Sequence, residues 1–310
     1  MKKDIENNLE KIKKLLSNPN AKIVSITHGN CMDGAGSQIG IANSFKNVEY
    51  RKAGYHNINR VLEELNYDAY DCVLLTDISP EQNVDLLKHE KIILIDHHST
   101  ALKYHDPENL CFVYEEKAAS LLVKEWLEIA LNIDLSHLDD LMRYINDYDL
   151  WIHEHEQSEK FKMLYYHMGD IEFRTRFHGG CVIFTEKDNS FFLRRERDFN
   201  KLYDELEIFE LETIKGCLVI IDDFINEIPH QIMENETDIN LVIIKNPKSG
   251  GLSIRSNIKD ANIGLMLEEL GIGGGHAQAC GMHSPNAEAI KNNIKLLEKT
   301  VFDKFPHARK

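Results

Sequence analysis

The chain contains no Cys-x-x-Cys pair. Its six cysteines, Cys31, Cys72, Cys111, Cys181, Cys217 and Cys280, lie far apart, which argues against a structural zinc knuckle and against a disulfide framework. A reduced, cytoplasmic setting is the simplest expectation. Long apolar runs are missing as well. None approaches the roughly 18 residues needed to span a bilayer, so no membrane partner is expected. The start, Met1-Lys2-Lys3-Asp4, runs into a charged helical pattern instead of an apolar core, so no signal peptide is expected. Nor is there an obvious basic stripe. The formal net charge is -15, whereas a protein that grips long duplex nucleic acid normally shows a basic face. Short or small phosphorylated ligands suit this surface better. The excess of carboxylates also suits a divalent-cation site, although most will be solvated surface.

The 310 residues, 43% of them hydrophobic, suit two domains of ordinary size with packed cores. The stretch that organises them is Lys91-Ile92-Ile93-Leu94-Ile95-Asp96-His97-His98-Ser99-Thr100. The run Ile92 to Ile95 does not alternate, so it reads as a strand buried on both faces of a parallel sheet. Open parallel sheets bind ligands beyond the carboxyl ends of their strands. Asp96, His97 and His98 stand at such an end. Adjacent histidines on extended backbone point to opposite sides, which suits one to a metal and the other to a substrate.

Two more strands end in the same way. Lys22 to His28 reads as a strand, followed by the glycine-bearing loop His28-Gly29-Asn30-Cys31-Met32-Asp33-Gly34, with a helix over 34–45. Asp33 either binds a metal or caps that helix. Cys72 to Asp77 is apolar and ends in a carboxylate, and Pro80 opens a helix through Lys88. Residues 48–53 are a further strand, leading to Gly54-Tyr55-His56. Helices are expected over 4–17, 117–131 and 135–146. The last ends at Asn146-Asp147-Tyr148-Asp149-Leu150-Trp151, where two aspartates are either a ligand and a neighbour or two surface carboxylates. The alternation of strand and helix predicts a doubly wound α/β domain.

Residues 153–215 read as a charged helical connector in which His153-Glu154-His155, at i and i+2 of a helix, face solvent. Beyond Gly216, residues 217–221, 240–245 and 252–256 read as strands and 261–270 as a helix. The run Gly273-Gly274-Gly275-His276 is expected at a helix start, where bare N–H groups suit an anion.

Together these residues resemble the DHH–DHHA1 phosphoesterase superfamily. The resemblance rests on His28…Asp33-Gly34, Asp77, Asp96-His97-His98 and Asp147-Tyr148-Asp149-Leu150-Trp151. Ser253-x-Arg255-Ser256 and Gly273-Gly274-Gly275-His276 extend it. It implies a doubly wound parallel-sheet DHH domain over 1–185, a helical connector over 186–215 and a smaller mixed α/β DHHA1 domain over 216–310 that closes over the substrate. It further implies a centre of two Mn2+ ions, with Co2+ or Mg2+ as substitutes, held by His28, Asp33, Asp77, His97 and Asp147. Such ions lower the pKa of a shared water towards neutrality. His98 would contact the phosphoryl group and Asp96 would orient a histidine. Arg255, Ser256, Gly274, Gly275 and His276 would bind substrate. In one respect the chain departs from the pattern: Cys31, with Asn30 beside it, stands where the superfamily usually carries another aspartate.

The expected activity is hydrolysis of short oligonucleotides or small, including cyclic, dinucleotides to nucleoside 5′-monophosphates. The alternatives are a phosphatase acting on 3′-phosphoadenosine 5′-phosphate and a non-catalytic nucleotide sensor. The expected partners are that small substrate and a second copy of the chain in a homodimer.

Overall fold

Runs such as 73–75 and 92–95, which offer no polar residue to water, can be covered only by layers on both sides of a sheet. In the computed structural model the chain meets this requirement with strands β1 (Ile23–His28), β2 (Val48–Ala53), β3 (Cys72–Thr76), β4 (Ile92–Asp96) and β5 (Cys111–Val113). The structure describes residues 1–18, 20–80, 83–236, 238–275, 277–282 and 286–310. Two compact units divide it, Met1–Phe192 and Leu193–Lys310.

In the first unit the five strands run parallel in the order β2-β1-β3-β4-β5. Alternate side chains feed two separate cores. Ile23, Leu74, Ile93, Ile95 and Phe112 pack on one face with Trp126 and Ile145. Val24, Ile26, Val73, Leu75 and Leu94 pack on the other with Ile58 and Leu62. The covering helices are α1 (Lys2–Asn7), α2 (Leu9–Leu16), α3 (Met32–Ser44), α4 (Ile58–Glu63), α5 (Ala119–Leu131), α6 (Asp139–Asp149), α7 (Glu156–Met168) and α8 (Asp170–Phe177). Because β1 lies between β2 and β3, the chain leaves β1 on one side and returns on the other. That switch point opens a crevice at the carboxyl ends of β1 and β3.

Helix α9 (Glu186–Asp204) carries the boundary between the units. The second unit contains β6 (Phe209–Glu210), β7 (Gly216–Ile220), α10 (Glu227–Asn235), β8 (Leu241–Lys245), β9 (Leu252–Ser256), α11 (Ile263–Glu269), β10 (Gly273–Gly275), β11 (Ala279–Met282) and α12 (Ala287–Lys304). Its strands form a mixed sheet in the order β10-β11-β9-β8-β7-β6, parallel only between β7 and β8.

Three expectations change. The amino-terminal helix is two helices broken at Asn8, whose side-chain amide donates to the Asp4 carbonyl at 2.9 Å. After Pro80 the described residues hold only a 3-10 turn, Val84–Lys88; Glu81 and Gln82 lie outside them. The glycine run is not at a helix start. It forms the strand β10, paired antiparallel with β11. A Cβ on Gly273 would stand 2.1 Å from the Gly281 carbonyl oxygen, so the glycines permit close strand pairing.

Candidate metal centre

The carboxyl ends of β1, β3 and β4 converge. His28 ends β1, Asp77 follows β3, and Asp96, His97 and His98 finish β4. Asp33 enters from the first turn of α3 and Asp149 from the last turn of α6. The Nε2 atom of His97 is the hub: it lies 3.4 Å from Asp77, 3.4 Å from Asp149 and 3.7 Å from Asp33. On the other side of Asp77, His28 Nδ1 is 4.0 Å from the second carboxylate oxygen.

Close backbone packing makes this convergence possible. A Cβ on Gly34 would come within 2.7 Å of both the His28 carbonyl oxygen and Thr27 Oγ1, and within 3.3 Å of Asp77 Oδ2. Asp77 itself adopts a positive φ of 58°, a region a side chain occupies at some cost. Asp33 is fully buried and accepts the amide protons of Ala119 and Ser120, each at 2.8 Å, at the amino end of α5.

Asp96 is fully buried beneath the two histidines. Its Oδ1 accepts from the His97 and His98 amides at 2.7 and 3.2 Å and lies 2.7 Å from His98 Nδ1. With Nδ1 held on that carboxylate, the ring presents Nε2 as its other face. Tyr55 flanks the centre, its ring centroid 5.2 Å from His28 and 5.9 Å from His98.

Without a cation the charges are poorly balanced. Burial pushes the Asp33 and Asp149 carboxyls up, and each repels its neighbours. Burial opposes charging of His97, but its hydrogen bond to Asp77 and the charges of Asp149 and Asp33 outweigh it and push the imidazole up to about 10. Asp77 Oδ2 is buried and has no hydrogen-bond partner among the described residues. A buried carboxylate oxygen left in this way costs stability unless something positive meets it. Three sets of side chains could supply such a cation with ligands, each with donor atoms within 4.8 Å of one another. They are His28, Cys31 and Asp77; Asp77, His97 and His98; and Asp33, His97 and Asp149. Imidazole and carboxylate are donors for manganese, magnesium and their neighbours, and the residues fit a divalent-metal centre.

No protein-family profile matches the chain. The oligoribonuclease NrnB of Bacillus subtilis is 24% identical over 289 residues, which cover 81% of this chain and 70% of that protein. RecJ of Thermus thermophilus, crystallised with Mn2+, aligns with a TM-score of 0.60 at 16% identity, over 98% of this chain and 55% of RecJ. The pGpG-specific phosphodiesterase PggH of Vibrio cholerae aligns at 0.53 and 13% identity, over 90% of this chain and 99% of PggH. In fold and in the order of its motifs the chain is similar to these proteins, as its resemblance to the DHH–DHHA1 phosphoesterases implies.

The structure gathers His28, Asp33, Asp77, Asp96, His97 and His98 but leaves out Asp147. Asp147 turns the other way. Its carboxylate accepts from the amides of Glu154 and His155 and from the Ser158 hydroxyl, fixing the start of α7. Asp149 takes the place beside His97. At 100° per residue, two aspartates spaced i and i+2 on a helix face nearly opposite ways, so only one can reach the centre. The sequence offers both and does not say which face of α6 turns inward. The same capping explains why Asp147, Glu154 and His155 cluster. His153 to His155 are not helical; they lie in the link between α6 and α7.

In the second unit, Arg255 lies on β9 with its guanidinium held by Asn226 Oδ1 at 2.6 and 3.1 Å and by the Ile254 carbonyl at 2.9 Å. Ser256 is buried, donating to the Asn240 carbonyl and accepting from the Ile258 amide. Gly274 and Gly275 are on β10, where Gly275 has φ 133°. His276 lies outside the described residues. Arg174, open in the sequence, is bound to Asp170 at 2.9 Å and stacked over Tyr50.

Proposed function

We propose that the chain is a divalent-metal-dependent phosphodiesterase that hydrolyses short oligonucleotides or small dinucleotides to nucleoside 5′-monophosphates. The observation that carries this reading is the buried, unpartnered carboxylate oxygen of Asp77 at the switch point of the parallel sheet, ringed by His28, Asp33, His97 and Asp149. These residues would hold divalent cations. When bound, divalent ions there supply a water of lowered pKa and neutralise charge on the phosphoryl oxygens.

The remaining roles belong to the chain's own side chains. His97 is held by three carboxylates and serves as a ligand. His98 is aimed by Asp96 and donates to a non-bridging phosphoryl oxygen, steadying the charge that grows there. Arg255, oriented by Asn226, is the substrate-binding cation of the second unit, and the N–H groups of Gly274 and Gly275 are assigned to the same duty, whereas the Ser256 hydroxyl is spent on the Asn240 carbonyl and the Ile258 amide. Mn2+ is the preferred ion, with Co2+ or Mg2+ able to replace it. The enzyme works in the cytoplasm, where six unpaired cysteines stay reduced. The likeness to the oligoribonuclease and to the pGpG phosphodiesterase supports a small nucleotide substrate.

The test is a panel of a dinucleotide, a short single-stranded RNA, a cyclic dinucleotide and 3′-phosphoadenosine 5′-phosphate, each incubated with enzyme and Mn2+ and resolved by chromatography. Stepwise release of 5′-mononucleotides from the first two supports the proposal. Turnover of the monoester alone assigns the chain to the phosphatases instead.

A further inference from the structure

The proposed centre is not uniform. Asp33, His97 and Asp149 offer two carboxylates and one imidazole, a hard donor set. On the opposite side of Asp77 the donors are His28, Cys31 and Asp77, with sulfur, nitrogen and oxygen atoms within 4.8 Å of one another. Cys31 stands at the amino end of α3 in extended backbone, φ -121° and ψ 131°. Burial and the charges of Asp77, Asp149 and Asp33 push the Cys31 thiol well up, outweighing the Gly34 amide. The cysteine forms no disulfide. The carboxylate oxygen of Asp77 nearest His28 is the one that is buried without a partner. An anionic oxygen with nothing to meet it, an imidazole at 4.0 Å and a half-buried sulfur therefore converge on one point.

We propose that Cys31 is a metal ligand, so that the centre consists of two subsites of unequal hardness. This deepens the phosphodiesterase reading and rests on it. The first subsite, His28-Cys31-Asp77, would take its cation on the Cys31 sulfur, the incoming cation displacing the thiol proton to solvent. A thiolate favours Co2+, Zn2+ or Fe2+ over Mg2+, whereas the carboxylate-rich subsite accepts Mn2+ or Mg2+. A cysteine in a position that usually carries an aspartate thereby tunes which metal the first subsite selects, while the reaction class stays the same.

Cobalt titration tests this without relying on turnover. Adding Co2+ to the reduced wild-type protein should produce a near-ultraviolet sulfur-to-cobalt charge-transfer band. Cys31→Ser and Cys31→Asp should lose it, and Cys181→Ser, which alters an exposed cysteine, should keep it. Calorimetry should show Cys31→Asp shifting the preference from Co2+ towards Mn2+ by at least about tenfold, the lower end of what changing a group that merely supports a metal's ligands costs. Absence of the band from the wild type refutes the ligand role even if a variant folds poorly; its presence shows sulfur ligation, which the pair Cys31→Ser and Cys181→Ser assigns to Cys31. Cobalt bound without that band, with phosphodiester hydrolysis intact, overturns the role of Cys31 and leaves the function standing. Failure of the wild-type protein to bind any divalent ion overturns both.

Discussion

Asp147 and Asp149 are two residues apart and do different work. Asp147 is a buried carboxylate whose acceptors are all used to start α7. Asp149 points at His97. Replacing each by asparagine should separate the two roles. Asp147→Asn should lose about 1–3 kcal/mol of stability, the usual cost of a broken buried hydrogen-bond set, and retain metal binding. Asp149→Asn should melt near the wild type and bind Mn2+ more weakly by calorimetry; the opposite pattern would return Asp147 to the centre. Much of the residue-level arrangement was legible in advance. His28, Asp77 and the Asp96-His97-His98 run sit at ends of apolar strands, and strand ends in a parallel sheet have only one place to go. The choice between Asp147 and Asp149 was not legible, because the rotation of a helix is fixed by packing and not by spacing. Nor could the sequence show that Ser256 is spent inside the fold.

At the scale of elements, α9 shows how a local motif is secured. The Thr185 hydroxyl accepts from the Asp188 amide, and the Asp188 carboxylate takes the Thr185 amide and hydroxyl in return, a capping box at the helix start. Arg176 from α8 grips the same carboxylate with both arms of its guanidinium. That grip holds the Asp188 carboxyl well below the usual carboxylate range. A carboxyl depressed in the folded state contributes stability that is fully present above its unfolded pKa, about 4, and is lost as the pH falls through the folded value. Asp188→Asn should therefore cost about 1–3 kcal/mol at neutral pH, with the gap to wild type narrowing below about pH 4. A gap that stayed constant down to acid would show that Arg176 contributes little. Elements were legible where apolar runs were uniform, as in β3 and β4. They were misread where glycine dominates. A glycine run fits a helix-end loop and a tightly paired edge strand equally well, and only the partner β11 distinguishes them.

At the scale of the molecule, the formal charge of -15 limits what can be bound. Duplex DNA should show no measurable affinity at physiological salt, because few phosphates can release counterions to so acidic a surface; saturable duplex binding in a fluorescence titration would contradict this. Among the described residues no helix is long and apolar enough to cross a membrane. The boundary between the two compact units falls inside α9, at Phe192 and Leu193. The ring around Asp77 is proposed to hold the metal for phosphodiester hydrolysis. The most direct measurement compares wild type with Asp77→Asn on a dinucleotide across a Mn2+ titration. The account predicts metal-dependent release of 5′-mononucleotide by the wild type, loss of at least about a hundredfold in the variant, and an unchanged fold by circular dichroism. Equal turnover by the two proteins would contradict it.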